Sequence, residues 1–219
     1  INMNNLDRKP EEKFLLLFEA AKRSLLTSDI LFNRIKVQLR DFESSIDNNT
    51  DLGDKIAMPL IEVSALVDYS HRFYSIVDAL PLIHKKAPEI VRLRTNMKNV
   101  IEIRNYLQHM RGDLSSNKQI KYSILGSLSW IGTGNCYTVF MTQPSQAEAV
   151  GIAYDMYERK WVTNYQYELN NKLIYLDTLY NEKKTAYDYI TTLVKFSDPE
   201  FSKLKWGQSQ ALSLRLINV

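Results

Sequence analysis

The sequence predicts a mainly α protein, an antiparallel bundle of four to five long helices with a β-hairpin inserted after the third. Three observations carry that expectation. Apolar residues recur at three-four spacing over long stretches, which is the period of a helix with one face buried. Glycine is scarce, with 7 in 219 residues, and several are gathered between Gly112 and Gly134. Proline followed by an acid stands twice where a helix would open. A chain of this length buries a full core, so the expected division is one domain over residues 1–219. Its core lies at about 10–196, its hairpin at about 120–142, and a weakly patterned tail follows from 200 to 219.

Pro10, Glu11 and Glu12 read as a first helical turn, because proline has no N–H to lose there and acids suit the positive end of the dipole. Phe14, Phe18, Ala21, Leu25, Phe32, Ile35, Leu39, Phe42 and Ile46 then keep the helical period, with Ser28 as a polar intruder. One long helix results, or two in phase with a kink near Ser28. The run from Asn48 to Asp54 is loop by composition, and Ile56, Leu60, Val63, Val67, Tyr74 and Val77 resume the period until Pro81. Pro88 and Glu89 open a third helix whose apolar arc carries Ile90, Leu93, Met97, Val100, Ile101, Leu107 and Leu114. Gly112 is expected to end it or to lie just beyond its end.

Between Lys121 and Thr142 the texture changes. Ile124, Leu128, Trp130, Tyr137, Val139 and Phe140 surround Gly132-Thr133-Gly134-Asn135, the pattern of a β-hairpin. Ser145 and Glu148 have capping-box spacing after Pro144, so helix restarts there, supported by Val150, Ala153, Tyr157 and Trp161. From Trp161 to Leu176 two patterns compete. Tyr165, Tyr167 and Leu169 alternate like a strand, whereas Val162, Tyr165, Leu169, Leu173, Leu176 and Tyr180 keep helical spacing. Two helices broken near Asn170-Asn171 are the preferred expectation. A last helix runs from about Asp177 to Phe196 and exits at Asp198-Pro199.

Composition narrows the function classes. With 45% apolar and 24% charged residues the chain has the make-up of an ordinary globular protein, and its net charge of +3 permits a nucleic-acid partner without demanding one. The lone Cys136 excludes an internal disulfide and a cysteine-based zinc site, which fits a reducing compartment. No stretch approaches the roughly 18 uninterrupted apolar residues of a membrane span, so the cytoplasm is the expected location and no membrane partner is expected. The three histidines are too far apart in sequence for a metal-ligand pair, and no phosphate-binding glycine loop occurs. No cofactor or metal is therefore expected.

The chemistry-bearing feature is the run Arg104-Asn105-Tyr106-Leu107-Gln108-His109. Arginine fits phosphate with a planar fork of donors, and histidine has the side-chain pKa closest to neutrality. Successive helical residues turn by about 100°, so Arg104 falls inside the arc of Leu93, Met97, Val100 and Leu107, where an apolar side chain belongs. A guanidinium there needs a carboxylate, a ligand or a wet interface. His109 is roughly 140° further round and shares a face with Asn105, so one straight helix does not bring Arg104 and His109 together. A second copy related by a two-fold axis could.

Arg104-Asn105-x-x-x-His109 resembles the R-x4-6-H signature of HEPN domains, in which the arginine is commonly followed by a polar residue. The resemblance implies a helical bundle that dimerises so that two motifs line one cleft. It also implies a metal-independent endoribonuclease of a toxin-antitoxin or antiviral-defence system, with a cognate antitoxin or defence partner, or else a relative that only binds RNA, nucleotide or protein. In the nuclease reading His109 serves as general acid or base near the 2′-hydroxyl, Arg104 stabilises the phosphoryl oxygens, and Asn105 orients the phosphate or the partner histidine. Arg111 extends the positive surface toward RNA or forms a structural ion pair. One toxin branch carries a tyrosine two places after the histidine; this chain has Arg111 there.

The other candidates have plainer readings. His71, within Tyr69-Ser70-His71-Arg72-Phe73-Tyr74, reads as a helix histidine with a hydrogen bond or a polar-face position, and His84 with Lys85 and Lys86 as a solvated loop. The tyrosines from Tyr154 to Tyr189, interleaved with Lys160, Lys172, Lys183 and Lys184, read as packing rather than as a base-stacking platform. A helical adaptor is the remaining class, and it would bury Arg104 against an acid such as Glu62 or Asp78 of the same chain.

Overall fold

A computed structural model describes residues 10–46, 53–81, 83–115, 125–132, 135–140, 154–155, 160–161 and 165–197. Its four helices are α1 (Pro10–Ile46), α2 (Gly53–Ala79), α3 (Pro88–Ser115) and α4 (Leu176–Ser197). Between α3 and α4 lie β1 (Ser127–Ile131), β2 (Cys136–Phe140), β3 (Tyr154–Asp155), β4 (Lys160–Trp161), β5 (Tyr165–Leu169) and β6 (Lys172–Tyr175). The protein is thus mainly helical with a small antiparallel sheet.

The helix α1 is continuous through Ser28, which is fully buried yet satisfied, because its hydroxyl donates to the Ser24 carbonyl at 2.9 Å. A back-bonded serine of this kind keeps its polar atom without breaking the helix. Most of the periodic apolar residues face inward, Ile46 at the end of α1 being exposed: Phe18, Ala21, Ile35, Leu39 and Phe42 of α1 meet Leu60, Val63, Val67, Phe73 and Val77 of α2 and Leu93, Met97, Val100 and Ile103 of α3. Lys55 near the start of α2 donates to Ser45 near the end of α1, and Arg34 pairs with Glu62, so the two helices run antiparallel. At the end of α2, Lys85 caps the helix by donating to the carbonyls of Val77 and Asp78. That lysine lies in the partly solvated loop expected there and also ties it to α2. The helix α3 continues past Gly112 to Ser115, so the glycine neither ends it nor lies beyond it.

The hairpin of β1 and β2 forms as expected, but it is not a separate insertion. Its strand β1 also pairs with β5, giving a four-stranded antiparallel sheet in the order β2-β1-β5-β6. Central β1 is buried along Ser127–Trp130. Its Trp130 indole donates to Glu43 of α1 at 2.6 Å and packs on Phe42 and Tyr137. Gly132 stands two residues after Trp130, and a Cβ there would collide with the Glu43 carboxylate that holds the indole.

Residues 165–175 overturn the expected pair of helices. Tyr167 and Leu169 are both buried, which a strand allows by its period of two and a helix forbids by placing them about 200° apart. Asn170 and Asn171, with φ of 51° and 57°, make the two-residue turn between β5 and β6. Asparagine tolerates left-handed backbone, and such turns match the twist of a hairpin. The helix expected from Ser145 is also corrected where it can be: Tyr154–Asp155 and Lys160–Trp161 are antiparallel strands with Tyr154 opposite Trp161, in keeping with the strand preference of aromatic residues. The rest of that stretch, the loop near Asn48 and the tail from Glu200 lie outside the described residues. The last helix stands within a residue of its expected limits.

Candidate functional site

The anomaly at Arg104 is resolved by α2. Its side chain leaves the apolar arc of α3 toward Asp68, where Nε donates to Oδ1 at 3.4 Å. The other oxygen of Asp68 accepts from Arg72 Nε at 2.7 Å. One carboxylate therefore lies between two guanidinium groups, so these three side chains together carry one net positive charge. Helical spacing explains the cluster, since Asp68, His71 and Arg72 stand at i, i+3 and i+4 and so form one patch on α2. Arg72 is steadied further by its guanidinium lying 5.1 Å from the Tyr69 ring centre.

His71 shares this environment. Burial lowers its pKa from the ordinary 6.5, the Arg104 charge lowers it further, and Asp68 opposes both. The imidazole is therefore neutral at pH 7. The group is only partly buried, so its proton exchanges with solvent.

Beside the cluster lies a cleft of about 410 Å³ between α2 and α3. Ile61, Leu107 and Leu125 form its apolar wall, and Ser64, Asp68, Arg104 and Gln108 its polar rim. The sheet fixes one side of it: the buried Tyr167 hydroxyl donates to the Leu125 carbonyl at 2.8 Å, and burial pushes that phenol far above its ordinary pKa. The side chains of Asp68 and Arg104 are 30% and 26% exposed, so the ion pair is at a wet rim rather than sealed in the core.

Neither acid expected for a buried ion pair is the partner of Arg104. Glu62 pairs with Arg34, and Asp78 lies 3.8 Å from both Lys85 and Arg94. Asn105 and His109 are exposed and lie on the side of α3 away from Arg104, so one chain does not bring Arg104 and His109 together. The side chain of Arg111 lies outside the described residues. No family model, curated protein or solved structure matches this chain. The site thus rests on its own geometry. The sequence singles out Arg104 and presents His71, next to Arg72, as a helix histidine with a structural role, but does not point to Asp68; the i, i+3, i+4 spacing of Asp68, His71 and Arg72 on one helix face is the signal that groups them.

A second cleft of about 220 Å³ lies between α3, β6 and α4, where Asn99 donates to the Leu173 carbonyl at 2.7 Å. Its rim carries Thr95, Asn96 and Lys98 but no acid or imidazole, so it offers no proton-transfer pair. Among the described residues no cluster of three or more His, Cys, Asp or Glu side chains is placed to hold a metal ion, and no helix is long and apolar enough to cross a membrane.

Proposed function

We propose that this chain is a single-domain, HEPN-like helical bundle that cleaves RNA without a divalent ion, acting as a homodimeric effector of a toxin or antiviral-defence system. The observation that carries the reading is the position of Arg104: a guanidinium on the apolar arc of α3 that reaches the polar lining of an open cleft and shares one carboxylate, Asp68, with a second arginine, Arg72. A purely structural ion pair needs only one cation for Asp68. The surplus charge suits a phosphodiester.

In this reading a two-fold partner supplies the second motif, so that His109 of one protomer faces Arg104 of the other. The 2′-hydroxyl loses its proton to an imidazole, its oxygen attacks phosphorus, and the bond to the 5′-oxygen breaks as that oxygen takes up a proton. The products are a 2′,3′-cyclic phosphate and a 5′-hydroxyl. Arg104 bears the charge of the phosphoryl oxygens, Asn105 orients the phosphate, and Arg111 extends the RNA-binding surface.

The test is cleavage of total RNA in EDTA, with product ends identified. Wild type is expected to cut, and Arg104→Ala and His109→Ala to lose at least a hundred-fold in rate while remaining folded dimers. Wild type that leaves RNA intact at high protein concentration refutes the nuclease reading. The Asp68–Arg104 ion pair within one chain favours a second reading, a helical adaptor, in which Asp68→Asn and Arg104→Ala change stability alone.

A further inference from the structure

The apolar wall of the α2–α3 cleft has a complementary charged neighbour in Asp68 and Arg104 of its lining and in Arg72, one helical turn beyond Asp68 and bonded to it. Arg72, Asp68 and Arg104 together carry one net positive charge, against a wall of Ile61, Leu107 and Leu125. Ile61 is half-exposed although it is a large aliphatic side chain at a cleft mouth. A phosphate alone would make no use of that wall, and an apolar ligand alone would make no use of the arginines. A nucleotide uses both, with an anionic group joined to a flat ring of largely apolar faces. The cleft volume, about 410 Å³, lies in the range of small-molecule sites.

We propose that this cleft is a subsite for one nucleotide of a single RNA strand, with its phosphate on Arg72 and Arg104 and its base against Ile61, Leu107 and Leu125. The proposal rests on the RNA reading above and adds Arg72 and Ile61 as binding residues that the Arg-Asn-x-x-x-His motif does not contain. Asp68 orients the two guanidinium groups and also competes with the phosphate for them. Gln108 and Ser64 stand on the rim where they can hydrogen-bond to base or ribose edges. Tyr69 limits the freedom of Arg72 and so lowers the entropy lost on binding.

The competition at Asp68 separates this proposal from a structural ion-pair network. Removing the carboxylate charge frees both arginines for phosphate, so Asp68→Asn tightens RNA binding. A network that only ties α2 to α3 predicts a lower melting temperature and no gain in affinity.

The experiment is fluorescence anisotropy of the full chain with a labelled single-stranded RNA decamer whose 2′-oxygens are methylated, so that binding is read without cleavage. Circular dichroism verifies that each variant is folded. Arg72→Gln and Ile61→Glu are each expected to weaken binding about ten-fold, and Asp68→Asn to tighten it about three-fold or more. Lys184→Gln, which removes an exposed positive charge on α4, should stay within two-fold of wild type. No binding by wild type, or Arg72→Gln and Ile61→Glu variants that bind no more weakly than Lys184→Gln, would overturn the subsite. Cleavage that persists with such unchanged binding overturns the subsite and keeps the nuclease; the expected binding pattern without cleavage keeps the subsite and ends the nuclease.

Discussion

Lys183 is fully buried, and replacing it with methionine should make the protein more stable at neutral pH. Its Nζ donates to the Ser70 hydroxyl at 2.8 Å, and Ser70 in turn donates to the Leu66 carbonyl at 2.7 Å. Among the described residues no carboxylate stands within 4.0 Å of that nitrogen, although Asp29 of α1 raises the pKa from further away. Burial dominates and lowers the pKa from 10.5 to about 7. The shift is a statement about folding, because the unfolded chain holds the lysine proton more tightly than the folded one.

The sign follows from proton counting. Above pH 10.5 the lysine is neutral in both states and its titration costs nothing. As pH falls toward 7 the unfolded chain gains a proton that the folded chain refuses, so stability drops by about 1.4 kcal/mol per pH unit. Below 7 both states carry the proton, and the cost is complete at about 5 kcal/mol. Methionine has similar length, needs no proton and leaves Ser70 its bond to Leu66. Lys183→Met is therefore expected to raise the urea midpoint at pH 7, with the advantage shrinking as pH rises to 10. Titrating tyrosines contribute equally to both proteins and cancel in the difference. Parallel stability profiles for wild type and variant between pH 7 and 10 would refute a neutral buried amine, as would a less stable variant at pH 7.

Two further outcomes test the site and the sheet. The proton NMR titration of His71 should give a pKa below 6.5, which moves up in Arg104→Gln and down in Asp68→Asn; a value indifferent to both changes would separate His71 from the cluster. Asn171→Val should lower stability by about 1–2 kcal/mol in urea melts, because β-branched residues are strained in left-handed backbone, while Asn171→Gly should match or exceed wild type. Equal losses in both variants would argue against the two-residue turn.

The helices were legible because each buries one face against its neighbours, and a buried stripe writes a period of 3.6 into the sequence. The β5–β6 hairpin was not, because Tyr165, Leu169, Leu173 and Leu176 satisfy the helical period by coincidence. The decisive information was the pair Asn170-Asn171, read as a helix break when it was a turn with both residues left-handed. Lys183 was equally opaque. Lys183 and Lys184 are adjacent and alike in sequence, yet one turns inward and the other outward on α4, and only the opposing Ser70 shows which. The site divides along the same line. That Arg104 sat where an apolar residue belongs followed from its own helix, whereas its partner required knowing which face of α2 lies opposite. Once that face is known, Asp68 and Arg72 account for the anomaly: the carboxylate makes Arg104 tolerable near the core, and the second arginine gives the three side chains one net positive charge. For a cluster that only stabilised α2 against α3, one cation would balance Asp68; the second guanidinium, Arg72, bonded to the same carboxylate beside the cleft, is therefore the feature on which the proposed phosphate contact rests.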